Sequence, residues 1–167
     1  MARPVPSETP LLPSLLDRLL DDRPEEREEP PRPEAQVVRQ IRDSLCRDLQ
    51  NLLNSRRSLE RLPEGCRELP TSLLNYGLPD LQSLEVREDH ELFRLCRLIE
   101  ESIQCFEPRL QGVTVRPLVA DGNRGSLDRR LRFEIEAVLV VEPVREAVTF
   151  ASALDVASGS FAVEGAA

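Results

Sequence analysis

The segment Glu107-Pro108-Arg109 carries the most specific chemistry in the chain. An acid and a base two positions apart on an extended backbone point to the same side, and the proline between them fixes that backbone. The result is a rigid pair of opposite charges. It can hold a complementary charged surface on a partner, or close on itself as an internal salt bridge that stitches helix to sheet. Glu107 also stands at the end of a helical pattern, where a negative charge opposes the helix dipole at a cost of about 0.3–1 kcal/mol. A local rule broken in this way marks function or strain.

Three further constellations are candidates for partner contact. Arg56-Arg57 sits just past a long helical pattern, where it either caps the dipole in solvent or offers bidentate contacts to carboxylates. Leu12, Leu15, Leu16 and Leu19 share one helical face, and Ser14 with Asp17 has capping-box spacing. A helix this short is marginal in water, so it must dock on its own domain or on a partner. The low-charge stretches 148–156 and 161–163 have strand character, and an uncharged sheet edge is a template for another chain's strand. The lone tyrosine, in Asn75-Tyr76-Gly77-Leu78-Pro79-Asp80, belongs to a structural turn with Gly77 in a left-handed conformation.

Composition removes most enzyme classes. The 167 residues contain 22 basic residues, all arginine, against 30 acids, a net charge of −8. Without lysine there is no P-loop lysine and no Schiff base. The acidic balance argues against a generic nucleic-acid binder. His90 is the single histidine, which excludes a two-His metal site. Cys46, Cys66, Cys96 and Cys105 form no CxxC pair, so they read as free thiols, with Cys96 and Cys105 on opposite faces of one helix. Glu100, Glu101 and Glu107 cluster near a helix end. A glycosidase, however, needs two carboxyls about 5–9.5 Å apart in one cleft, and Glu100 and Glu101 should face solvent. Sugar-stacking aromatics are scarce, with one Tyr and no Trp. No catalytic residue, metal or cofactor is expected. No run of apolar residues is long enough to span a bilayer and no apolar leader is seen, so a cytoplasmic location is expected.

The elements that position these residues follow from periodicity. Residues 1–35 form a proline- and acid-rich extension holding the leucine helix and a solvated acidic run at 21–33. Residues 36–167 form the main domain. Val38, Ile41, Leu45, Leu49 and Leu52 predict a helix over 36–54. Thr71 and Ser72 can cap a short helical turn at 73–75, which Gly77 and Pro79 end. Leu92, Leu95, Cys96, Ile99, Ile103 and Phe106 predict a second long helix over 88–106, stopped by Pro108. The period then falls to 2. Val113 and Val115, the run Leu131, Phe133, Ile135, Ala137, Leu139 and Val141, then Val148 and Phe150, and finally Phe161 and Val163 predict strands, with turns at 121–125, Glu142-Pro143 and Ser158-Gly159. Helices before strands predict an α+β fold: two long helices and a short helical turn packed on a small antiparallel sheet of about four strands.

Several motifs occur in a fixed order: Arg47-Asp48-Leu49-Gln50-Asn51-Leu52-Leu53-Asn54-Ser55-Arg56, Ser72-Leu73-Leu74-Asn75-Tyr76-Gly77-Leu78-Pro79-Asp80, Phe106-Glu107-Pro108-Arg109-Leu110, then Leu131-Arg132-Phe133 and Glu142-Pro143. From about residue 11 to 163 the chain resembles the E-subunit (TssE) family of the type VI secretion system baseplate. That family is similar to the lysozyme-like wedge proteins of contractile phage tails. The resemblance implies a non-enzymatic structural component of the baseplate wedge that initiates polymerisation of the contractile sheath, whose subunits join by exchanging strands. It implies F-, G- and K-type wedge subunits and sheath subunits as partners. Nucleic acid and direct membrane insertion are not implied; the assembly docks at the inner membrane through other subunits. On this resemblance Glu107, Pro108 and Arg109 hold the subunit at the wedge core and the leucine helix contacts wedge partners. Ser55, where Thr is frequent, and Cys105, where a basic residue is common, depart from the family pattern. A peptidoglycan-acting glycosidase and a free regulatory adaptor are the alternatives.

Overall fold

The switch of hydrophobic period after Pro108 is where helices give way to a sheet. The computed structural model describes residues 11–20, 25, 33–58, 65–81, 89–118 and 130–166. Most of the acidic run at 21–33, Pro63 and the turn cluster at 121–125 lie outside them. In chain order the elements are α1 (Leu15–Leu19), α2 (Glu34–Asn54), two 3-10 turns (Leu69–Thr71 and Leu73–Asn75), α3 (Asp89–Phe106), β1 (Leu110–Leu118), β2 (Arg130–Val141), β3 (Val144–Asp155) and β4 (Ser160–Ala166). The strands form one antiparallel sheet in the order β1-β2-β3-β4. This is the α+β fold that the periodicities predict.

Both long helices cover one face of the sheet. Ile41, Leu45, Leu49 and Leu52 of α2 and Leu95, Ile99 and Ile103 of α3 are buried with Val113, Val115, Phe133, Ile135, Leu139, Phe150, Leu154 and Phe161 in a single core. Alternation sends Arg132 outward as an exposed residue and leaves Glu134 and Glu136 half-buried on that outer face. α2 starts at Glu34, two residues before the expected position, and buries Val37 rather than Val38. Cys96 is buried and Cys105 exposed, as nine helical steps require.

Three expectations need correction. Thr71 and Ser72 do not cap the turn that follows. Their hydroxyls donate backward to the carbonyls of Glu68 at 3.2 Å and Leu69 at 2.8 Å. Glu100 does not simply face solvent, because its carboxylate accepts the Val115 N–H at 2.8 Å. The low-charge stretch 148–156 is not an outer edge: over 149–155, β3 pairs with β2 on one side and β4 on the other. Its lack of charge reflects an inner strand's burial rather than an open edge.

Gly77 locks the 75–80 loop onto the end of α2. Its φ is +100°, and a Cβ there would stand 2.2 Å from the Ser55 carbonyl oxygen. The close approach lets the Leu78 N–H donate to the Ser55 carbonyl at 2.9 Å and the Arg57 N–H donate to the Leu78 carbonyl at 3.0 Å. Leu78 is thereby inserted, at 2% exposure, into the core. Gly77→Ala is expected to lose about 3 kcal/mol from left-handed strain plus overpacking, read as a lower urea midpoint. A loss below about 0.5 kcal/mol, the range of a neutral surface change, would show that the loop need not approach so closely.

Candidate functional site

At the end of α3 the chain turns sharply. The Glu107 N–H donates to the Ile103 carbonyl at 2.8 Å as the last helical bond, and the Leu110 N–H donates to the Glu107 carbonyl at 3.1 Å. The backbone here is a turn rather than the extended stretch that spacing suggests, and it still brings the carboxylate of Glu107 onto Arg109. Oε1 accepts the Arg109 N–H at 3.1 Å and Nε–H at 2.7 Å, and Oε2 accepts Nη2–H at 2.5 Å. The same Nη2 reaches Asp48 Oδ2 on α2 at 2.6 Å. Glu107 is only 6% exposed. The hydrogen bond to Glu107 outweighs burial and, with Asp48, holds the Arg109 guanidinium protonated well above its ordinary range. The Arg109 carbonyl in turn accepts the Val140 N–H at 2.8 Å. The internal stitch is thus present: one charged turn ties α3, α2 and the start of the sheet together, with Pro108 exposed at its tip.

The charges continue beyond the turn. Arg47, one position before Asp48, lies 3.6 Å from Asp48 Oδ1 and donates to Asp17 Oδ1 at 2.7 Å. Asp17 is the buried residue of α1, at 8% exposure. Its N–H donates to the Ser14 hydroxyl at 3.2 Å, which itself donates to Asp17 Oδ2 at 2.5 Å, so the capping pair predicted by spacing is formed. Asp17, Arg47, Asp48, Arg109 and Glu107 make one chain of alternating charge from α1 to β1. Spacing gives Asp17 only its capping role and gives Arg47 and Asp48 no charge partner. Arg47 is exposed and Asp48 half-buried at the rim of α2, where nothing in the local pattern marks them.

α1 therefore docks on its own domain, but through Asp17 rather than through its leucines. Leu12 lies before the Ser14 cap and so is not on the helix as expected; it and Leu15, Leu16 and Leu19 remain 54%, 72%, 53% and 73% exposed. Between α1, α2 and the 106–109 corner lies an open groove of about 430 Å³. Leu16, Leu49, Leu52, Tyr76, Phe106 and Pro108 line its apolar part, and Asp48, Glu107 and Arg109 its polar end. Tyr76 and Phe106 meet edge to face with centroids 5.2 Å apart. Burial, with the nearby Asp48 and Glu107 carboxylates, pushes the Tyr76 hydroxyl pKa up.

Arg56 and Arg57 are not part of this groove. The chain leaves α2 in an extended conformation at Ser55, so neither arginine lies on the helix end. Arg56 pairs by backbone with Leu78, and its guanidinium lies 3.7 Å from Asp80, with both side chains more than half exposed. It also approaches Gly159 in the β3–β4 turn. Arg57 is half-buried, and its Nε has no hydrogen-bond partner among the described residues.

The three clustered acids are engaged separately. Glu107 is held by Arg109, Glu100 by the Val115 N–H, and Glu101 is exposed. Burial raises the Cys96 thiol to about 11, so it carries little thiolate at neutral pH. Among the described residues no cluster of His, Cys, Asp or Glu is arranged to hold a metal ion, and no helix is long and apolar enough to cross a membrane.

Two outcomes follow from this geometry. Arg109→Ala strands the buried Glu107 carboxylate and should cost about 3–5 kcal/mol, whereas Asp48→Asn, at the more exposed link, should cost about 1 kcal/mol or less. Urea denaturation of both variants checks the order; equal losses would break the account. For Asp17, burial acts to raise the pKa, but the Ser14 hydroxyl and the Arg47 guanidinium outweigh it and hold the carboxyl below its ordinary value. A lowered folded value contributes stability above the unfolded value of about 3.9 and loses it as pH falls through the folded one. Amide exchange of α1 should therefore accelerate only in that acid window, and Asp17→Asn should make α1 exchange fast at neutral pH.

Comparison with curated proteins and with solved structures gives no match. One family profile, described as baseplate wedge protein gp25, matches residues 39–144. That span runs from α2 through the acid–base turn to the start of β3 and covers more than half of the chain. The ordered motifs, the α+β fold built around Glu107-Pro108-Arg109 and this match agree: the chain belongs to the baseplate wedge protein gp25 family.

Proposed function

We propose that the chain is the E-type subunit of a type VI secretion baseplate wedge and initiates polymerisation of the contractile sheath. Family membership supports a structural baseplate role among other baseplate proteins. The observation that carries the finer reading is α1. An ion pair holds it on the domain while all four predicted leucines, and Leu20 at 55%, stay exposed. Monomeric soluble proteins seldom leave such a cluster uncovered, and a polar-rimmed apolar patch marks an interaction site.

In this reading Leu12, Leu15, Leu16 and Leu19 bury against a wedge subunit of the F, G or K type. Glu107, Pro108 and Arg109 hold the neighbouring corner rigid, so that the exposed Pro108 and the groove beside it meet the wedge core. Arg56, beside the β3–β4 turn, and Arg57 contribute charged contacts. Sheath subunits join through strand addition at the small sheet. The work is surface complementarity, without catalysis or cofactor. It takes place in the cytoplasm, in an assembly docked at the inner membrane through other subunits.

Co-expression with candidate wedge subunits and affinity capture tests the reading. The wild-type chain should retain them. Leu15→Ser with Leu19→Ser should abolish retention while changing the isolated chain's stability by no more than about 0.5 kcal/mol, as surface changes do. Failure of the wild-type chain to capture any wedge subunit would overturn the assignment. A large stability loss in the double variant would return the leucines to the chain's own fold.

A further inference from the structure

Tyr76 is fixed more firmly than a turn residue needs. The backbone leaves the Leu73–Asn75 turn extended at Tyr76. Gly77 locks the next position against Ser55, and the ring meets Phe106 of α3 edge to face. Held from both sides, the half-buried side chain lines the groove beside α1. A tyrosine hydroxyl in such a place usually has a hydrogen-bond partner. Here it makes no hydrogen bond among the described residues. Burial first, and then the nearby Asp48 and Glu107 carboxylates, raise its pKa. The group is therefore a neutral O–H at physiological pH, able to donate and to accept.

The two carboxylates at the polar end of the groove are not equivalent. Both oxygens of Glu107 are filled by Arg109. Asp48 gives Oδ2 to Arg109 at 2.6 Å, but its Oδ1 has only Arg47 Nε at 3.6 Å, which is beyond a hydrogen bond. The Asp48 side chain stays 30% exposed. Two carboxylates and one guanidinium leave this end with an excess of one negative charge, and the chain as a whole carries −8. An open carboxylate oxygen and an open hydroxyl thus stand on one groove whose other walls, Leu49, Leu52 and Phe106, are apolar.

We propose that this groove receives a basic side chain of a wedge subunit, carried on an apolar segment, with the cation donating to Asp48 Oδ1 and to the Tyr76 hydroxyl oxygen. The inference rests on the reading above that the groove meets the wedge core, and it names the chemistry that the groove selects. Apolar neighbours of the basic residue bury against Leu49, Leu52 and Phe106. Charge complementarity decides the occupant. A partner carboxylate would face Asp48 and Glu107 with Arg109 already shared between them, and like charges so placed repel. A second copy of this chain carries the same net −8. The rings of Tyr76 and Phe106 add attraction for a cation set over their faces. Tyr76 is then a specificity residue: its ring completes the apolar wall and its hydroxyl supplies an acceptor that phenylalanine would lack.

Affinity of the full chain for purified wedge subunits, measured against salt concentration, tests this. Tyr76→Phe keeps the ring and its contact with Phe106, so its melting curve should match wild type while affinity falls about tenfold, the worth of one hydrogen bond to a charged group. Asp48→Asn should lose at least as much and should flatten the salt dependence, because it removes the charge that salt screens. Unchanged affinity and salt dependence in both variants overturn this inference and leave the wedge reading standing. Wild-type chain that captures no wedge subunit overturns both. The isolated full chain gives an independent measurement by NMR. At about 10 mM, above the millimolar affinity of so small a probe, acetyl-Leu-Arg-amide should shift the Tyr76 and Leu49 signals and acetyl-Leu-Glu-amide should not. Equal shifts with the two dipeptides, shifts with the acidic one alone, or none with either overturn the proposal. A dimer of the isolated chain that Tyr76→Phe dissolves overturns the occupant proposed.

Discussion

The placing of the α3–β1 corner and of α1 depends on one chain of alternating charge, Asp17–Arg47–Asp48–Arg109–Glu107, laid beside the apolar core. Helix–sheet packing buries large side chains well but is weakly directional. The charge chain adds direction. Arg109 presents a planar fork in which Nε and Nη2 both meet Glu107, and Nη2 also meets Asp48. That geometry suits arginine and not lysine. Burial of Glu107 makes the pair intolerant of loss, because a buried carboxylate without its partner is costly. The corner between α3 and β1 is consequently fixed relative to α2, and α1 is fixed relative to both.

That rigidity has a consequence for assembly. α1 is too short to persist alone, yet its leucines must be presented in a defined place if they are to meet a partner. Anchoring by Asp17, the one polar residue on the helix that is buried, holds the helix while leaving the apolar face outward. The sheet is treated in a comparable way. Polar side chains of α2 and α3, Asn54 on β4 and Glu100 and Gln104 on β1, occupy outward backbone groups of these strands, which protects a small sheet from indiscriminate pairing. In the function proposed here, a wedge protein joins particular neighbours and refuses others, and both devices would serve that separation.

Much of this was legible in the residues. The periodicities of α2, α3 and β2, the capping pair Ser14–Asp17, the acid–base turn and the left-handed Gly77 each depend on local spacing, and each stands in the structure as spacing requires. Isolated polar residues are less legible. Spacing makes Glu100 a solvent-facing acid, but it caps β1. Spacing puts Arg56 and Arg57 at the end of a helix dipole, but the chain turns away already at Ser55. Thr71 and Ser72 bond backward instead of forward. For Glu100 and Arg56 the partners are Val115 and Leu78, brought close by packing from 15 and 22 positions away, whereas Thr71 and Ser72 find carbonyls only three residues back.

The sequence by itself determined the elements, their order, the face each buries and the family, because hydrophobic period and motif order are properties of the linear chain. It left open whether Glu107-Pro108-Arg109 closes on itself, whether α1 rests on its own domain, and which strands lie inside the sheet. Those were decided only by tertiary structure. The partner of Arg109 on α2 lies 61 positions away, and the partner of Arg47 on α1 lies 30 away. The low-charge stretch that spacing alone makes an edge becomes an inner strand once β4 folds back on it. Charge pairing and strand neighbourhood are relations between distant segments, and their energies depend on burial that exists only after the segments meet.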